Sequence, residues 1–114
     1  MARLKKLPAR FYRSTSGNEP VREWLKQLDS RDRKLIGMDI AIAEYGWPVG
    51  MPLARAMGDG LFELRTHLES GRIARVLFSV AYNELILLHA FIKKTQRTPQ
   101  RELNLALQRL KEIR

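Results

Sequence analysis

The apolar positions of this chain recur in two periods. Val21, Trp24, Leu25 and Leu28 return at helical spacing, and so do Leu35, Ile36, Met38, Ile40, Ile42 and Ala43 in a broader stripe and Leu103, Ala106, Leu107, Leu110 and Ile113 near the end. Between the second and third of these groups the period changes. Residues 60–97 are rich in β-branched and aromatic residues and are broken only by the turn signals Glu69-Ser70-Gly71 and Tyr82-Asn83, which predicts three successive strands.

The punctuation fits those elements. Phe11 and Tyr12 predict a short strand over residues 9–12, with Pro8 at its start or edge. Residues 14–18 read as a turn, after which Asn18 can cap a helix that carries Pro20 in its first turn. Asp29 and Ser30 end that helix and can cap the next, over about residues 31–45, giving a helical hairpin. Gly46-Trp47-Pro48 stops the second helix. From there to Gly60 the Pro and Gly residues predict a loop, with Leu53 and Met57 pinning it. Thr98-Pro99 repeats the signal of a cap followed by proline before the final helix. The order is strand, helix, helix, three-strand meander, helix. Strands segregated from helices imply an α+β fold in which the N-terminal helical hairpin covers one face of an antiparallel sheet and a C-terminal helix follows.

Within the strands, cations interrupt the apolar pattern. Arg65 lies between Leu64 and Thr66, Arg75 between Ala74 and Val76, and Lys93-Lys94 closes the third strand. Strand side chains alternate, so Glu63, Arg65 and His67 share one side of the first meander strand. Ile73, Arg75 and Leu77 share a side of the second, and Leu87, His89, Phe91 and Lys93 share a side of the third. With Phe62, Leu64, Val76 and Phe78 under the helices, Arg65 and Arg75 look outward together. Neighbouring strands lie about 4.8 Å apart, so two such guanidinium groups can reach one anion. Register decides which lysine joins them. The competing readings are structural: Arg65 paired with Glu63, His89 as a hydrogen-bonded core residue, and Lys93-Lys94 as a solvated pair.

Length and charge narrow the function. The 114 residues suit a single domain, 1–114. No run approaches the roughly 20 apolar residues that cross a bilayer, and the N-terminal segment lacks a signal-like apolar region, so a cytoplasmic protein without a membrane partner is expected. Cysteine is absent and His67 and His89 are the only histidines, which excludes thiolate chemistry and argues for no metal and no cofactor. Lys and Arg exceed Asp and Glu by nine; the N-terminal tail is cationic through Arg3, Lys5 and Lys6, and from Lys93 to Arg114 cations again outnumber acids. Such a charge fits nucleic acid or an acidic partner.

Gly60-Leu61-Phe62-Glu63-Leu64-Arg65, then Gly71-Arg72 with Arg75-Val76-Leu77-Phe78, then Leu87-Leu88-His89-Ala90-Phe91-Ile92-Lys93-Lys94-Thr95-Gln96-Arg97-Thr98-Pro99, resemble the phage-derived, HigB-like branch of the RelE/ParE toxin superfamily. The likeness spans about residues 11–110. It implies a RelE-like fold and the toxin of a type II toxin-antitoxin pair, a ribosome-dependent, metal-independent endoribonuclease that cuts messenger RNA. A helix-turn-helix antitoxin, the ribosome and mRNA are the implied partners. By position, Arg65 and Arg75 match the family's strand arginines and Lys93 and Lys94 its lysine pair, giving these four as catalytic. His89, Phe91, Gln96 and Arg97 fall to substrate binding.

The chemistry agrees with those residue types. Cleavage by the 2′-hydroxyl needs a base, stabilisation of the phosphorane and a proton for the leaving oxygen. Arginine stays protonated and suits charge stabilisation, whereas an ammonium crowded by other cations gives up its proton more readily, making Lys93 or Lys94 the candidate base. The final helix has no tyrosine of the kind some relatives stack on a base, and Phe91 could take that place or lie in the core. A ParE-like DNA gyrase inhibitor and a non-catalytic nucleic-acid-binding module are the alternatives.

Overall fold

The computed structural model describes residues 4–114 and leaves Arg3 of the cationic tail outside the described part. The elements run β1 (Ala9–Phe11), α1 (Pro20–Gln27), α2 (Ser30–Gly46), β2 (Ala54–Gly58), β3 (Leu61–His67), β4 (Ile73–Ala81), β5 (Glu84–Lys93) and α3 (Gln100–Ile113), with a single 3-10 turn at Glu69–Gly71. They build one five-stranded sheet in the order β1-β5-β4-β3-β2.

The sheet is mixed rather than antiparallel. Strands β2 to β5 pair antiparallel, but β1 lies parallel to β5, with Phe11 opposite Leu87. Hairpin turns force reversal between consecutive strands; β1 meets β5 across most of the chain, and no turn fixes its direction.

Strand β2 occupies ground expected to be loop. Its hairpin to β3 turns on Asp59 and Gly60, both at positive φ (56° and 80°). An Asp-Gly pair meets that requirement, because its two residues tolerate the left-handed region that a two-residue hairpin needs. The residues Ala54, Arg55 and Ala56 lack β-branched or aromatic side chains, so propensity gave no warning. The β4–β5 hairpin turns in the same way on Tyr82 and Asn83, at φ 55° and 59°.

Two apolar clusters sit on opposite sides of the sheet. Val21, Ile36, Ile40 and Ala43 from α1 and α2 pack with Leu64, Val76, Phe78 and Leu87, and Trp47, just past α2, sets its ring edge-on to Phe62 and Phe78 at 4.9 and 5.3 Å. Ala106 and Leu110 of α3 pack with Leu61, Leu77, Ile86 and Leu88. Val76 and Leu77 are consecutive in β4 and so point to opposite faces, which separates the clusters. Strand β5 changes phase within itself: Leu77 faces His89 but Phe78 faces Leu87, so a bulge at Leu88 sends Leu87 to the first cluster and Leu88 to the second. Simple alternation had placed Leu87 with His89 and Phe91.

The caps differ from expectation at two of three helices. Asp29 caps α2 by accepting the Asp32 amide at 2.9 Å. At α1 the cap position is Glu19, and Asn18 instead closes the preceding turn by donating its amide to the Ser14 hydroxyl. At α3 the cap position is Pro99, and the Thr98 hydroxyl is directed elsewhere. No helix among the described residues is long and apolar enough to cross a membrane.

Candidate anion-binding site

Pairing register assembles the basic site. Arg55 on β2 lies opposite Glu63 on β3, and Arg65 on β3 lies opposite Arg75 on β4. The alternation that puts Leu61 under α3 puts Glu63 and Arg65 on that same face, further along the strand. Like charges directly opposed across two strands repel. Glu63 resolves this by lying between them: its Oε1 is 3.3 Å from Arg55 and 3.7 Å from Arg65, and its Oε2 is 3.7 Å from Arg75. Three guanidinium groups around one carboxylate leave the cluster doubly positive.

The face carrying these groups is covered. After β5 the chain must return across β4 and β3 to enter α3, and residues 94–99 make that crossing directly over the arginines. Arg75 donates to the carbonyls of Lys93 and Thr95, Arg65 donates to Gln96 Oε1 at 2.8 Å and to the Gln96 carbonyl at 3.3 Å, and the Thr98 hydroxyl donates to Glu63. Arg75 and Glu63 are 0% exposed and the Arg65 side chain 15%. The expectation of two guanidinium groups looking outward from an open face is therefore corrected. Both are engaged with one buried carboxylate, the arrangement that counts against a nuclease site built on two free arginines. A buried arginine requires acceptors for its donors, and the carbonyls of Lys93 and Thr95 take two of them. Burial draws the Arg75 guanidinium below its ordinary value; Glu63 opposes the shift, and Arg65 and Arg55 add to it.

The register also settles which lysine shares the arginine face. Arg75 opposes Phe91 and Ile73 opposes Lys93, so Lys93 stands on that side, half-buried, while Lys94 lies past the strand's end and is exposed, as is Arg97. Phe91 is a core residue, with the Arg75 guanidinium 5.9 Å from its ring centre. Gln96 is held by Arg65. His89 is turned toward α3: Nε2 lies 3.0 Å from Glu102, and Arg109 approaches Nδ1 at 3.4 Å while donating to the Leu88 carbonyl at 2.8 Å. The site thus unites Arg65, Arg75, Phe91, Lys93 and Gln96, with Lys94 and Arg97 exposed in the segment that covers it, and His89 serves the helix contact.

Sequence reasoning missed Arg55 and Thr98. Arg55 was legible through Asp59-Gly60, the hairpin signal that pairs residues 54–58 with β3; Thr98 was hidden because a Thr before Pro at a helix start reads as a cap. Beside Arg65 a cleft of about 320 Å³ opens between β3 and α2, lined by Leu35, Met38, Asp39, Thr66 and His67 among others, with Asp39 occupied by the Thr66 hydroxyl at 2.7 Å. Among the described residues no group of three His, Asp or Glu is placed to hold a metal ion.

Fold and site together define a small basic α+β domain whose sheet carries a preassembled arginine cluster under a lysine-bearing crossing segment. The chain belongs to the family described as phage derived protein Gp49-like (DUF891), whose profile matches residues 23–111, from within α1 into α3. No curated protein matches it.

Proposed function

We propose that this protein is the toxin of a type II toxin-antitoxin system, HigB-like within the RelE/ParE superfamily and RelE-like in fold, and that it inhibits translation by cutting ribosome-bound messenger RNA without a metal. The observation that carries the reading is the net-positive cluster of Arg55, Arg65 and Arg75 around Glu63, with Lys93 at the end of β5 and a covering segment that presents Lys94 and Arg97. Membership in a phage-derived family agrees with it.

Roles follow from position. One lysine of the Lys93-Lys94 pair takes the proton of the attacking 2′-hydroxyl, and the other, still an ammonium, gives one to the departing 5′-oxygen; the P–O bond to the 2′-oxygen forms as that to the 5′-oxygen breaks. Arg65, the more accessible of the paired strand arginines, takes the phosphorane's added charge, with Arg75 supplying field from beneath. Arg97 holds a flanking phosphate and Gln96 a sugar or base edge, while Phe91 and His89 support the floor. An acidic or amphipathic segment of a helix-turn-helix antitoxin complements the basic surface, and the ribosome places the action in the cytoplasm.

One observation favours a second reading. Because Arg75 is wholly buried with its carbonyl partners in place, the surface can hold nucleic acid by counterion release with no chemistry at all. A gyrase inhibitor would need no catalytic centre either. Mapping transcript 5′ ends and assaying DNA breaks after induction together separate the three: cuts at ribosome-occupied codons carry the nuclease reading, gyrase-dependent DNA breaks replace it with the second kind of toxin, and arrest with neither leaves a binding module.

A further inference from the structure

The Nε atoms of Arg55, Arg65 and Arg75 are all buried without a hydrogen-bond partner. Two of them sit 3.7 Å from Glu63, one near each carboxylate oxygen. At that distance the carboxylate attracts by charge but closes no hydrogen bond. Glu63 holds Arg55 through a terminal guanidinium nitrogen at 3.3 Å and accepts a further hydrogen bond from the Thr98 hydroxyl, shortly before α3. One carboxylate therefore governs both the three cations and the end of the segment that covers them.

We propose that Glu63 is the positioning residue of this anion site. It keeps three mutually repelling guanidinium groups assembled and ties them through Thr98 to the covering segment. The ligand class, a ribose phosphate of single-stranded RNA, rests on the function proposed above; the positioning does not.

Glu63→Gln tests this, because it keeps the size of the side chain and an oxygen for Thr98 while removing the charge. The probes are inorganic phosphate and a labelled single-stranded RNA oligonucleotide. The expected result is tighter RNA binding at low salt, with the plot of log affinity against log salt steepened by about 0.7 for the one added uncompensated cation. The arginine Nε–H resonances should exchange faster and respond less sharply to phosphate, and kcat for cleavage in a translating extract should fall at least about tenfold without a rise in KM. Glu63→Asp should restore the wild-type salt slope but only part of kcat, since its carboxylate is too short to reach all three cations. If Glu63→Gln fails to fold, the pair Glu63→Gln/Arg75→Met removes one cation together with the anion; it should bind with the wild-type slope yet show mobile Arg55 and Arg65 Nε–H groups. Unchanged slope and unchanged exchange in the folded single variant, or ordered Arg55 and Arg65 in the pair, overturns the proposal. A wild-type protein that cuts nothing, with slope and resonances responding as stated, removes the nuclease reading and leaves the positioning role supported.

Discussion

Replacing Arg75 with Met isolates what this buried cation contributes. The substitution removes two donations to main-chain carbonyls, one of them long at 3.4 Å, and an ion pair at 3.7 Å. Hydrogen bonds from a charged group contribute about 1.5–3 kcal/mol each when well formed. Against that loss, the folded state no longer carries the desolvation of Arg75 or its repulsion by Arg65 and Arg55, the effects that lower its pKa. Glu63 still faces Arg55 and Arg65 and still accepts from Thr98, so no lone buried charge remains and the cost stays below the roughly 3–5 kcal/mol of a broken buried pair. The Thr95 carbonyl, in an exposed segment, can find water. The net expectation is a loss of about 2 kcal/mol, or near 8 °C in Tm at about 4 °C per kcal/mol for a chain of this size. Limited trypsin cleavage after Lys94 and Arg97 should quicken, because the segment loses its anchor while the cores do not. Two results would refute the reasoning: a Tm within 2 °C of wild type with that cleavage unchanged, or global unfolding, which would mean that Glu63 depends on Arg75 alone.

Lys93→Met and Lys94→Met should each leave the fold intact and abolish messenger RNA cleavage in a translating extract; full cleavage by both single variants sinks the lysine chemistry. Tyr12 is raised above 10.0, first by its hydrogen bond to Glu112, then by burial and by the Glu112 charge, with Arg109 opposing. Its neutral form is favoured by folding, so that stabilisation is complete below the unfolded value and is lost as pH rises through the higher folded one. Denaturant midpoints measured from pH 8 to 11 should therefore fall more steeply at the alkaline end for wild type than for Tyr12→Phe, and parallel curves would contradict the assignment. Asn83→Gly places glycine at φ 59° in the β4–β5 hairpin, and a gain of a few tenths of a kcal/mol in a chemical melt is expected, with a loss counting against the turn geometry.

The helices and the meander were legible because each is specified by near neighbours: Val21, Trp24 and Leu25 need only a helical period, and Tyr82-Asn83 only its flanking strands. That Arg65 and Arg75 fall on neighbouring strands was legible for the same reason, since a short turn joins those strands; their direct opposition came from the register. Contacts made across the sheet or across the chain were not. The sequence alone could set neither the direction of β1 beside β5, whose partner is distant in the chain, nor the bulge at Leu88, which breaks the alternation with no Gly or Pro to mark it. Arg65 and Arg75 could be assigned to one face from alternation, but that face could be called open or closed only once residues 94–99 were seen to pass over it. Whether a cation meets water or a carboxylate is decided by what tertiary packing lays on top of it, and here that is the segment bearing the lysines, with Glu63 beneath.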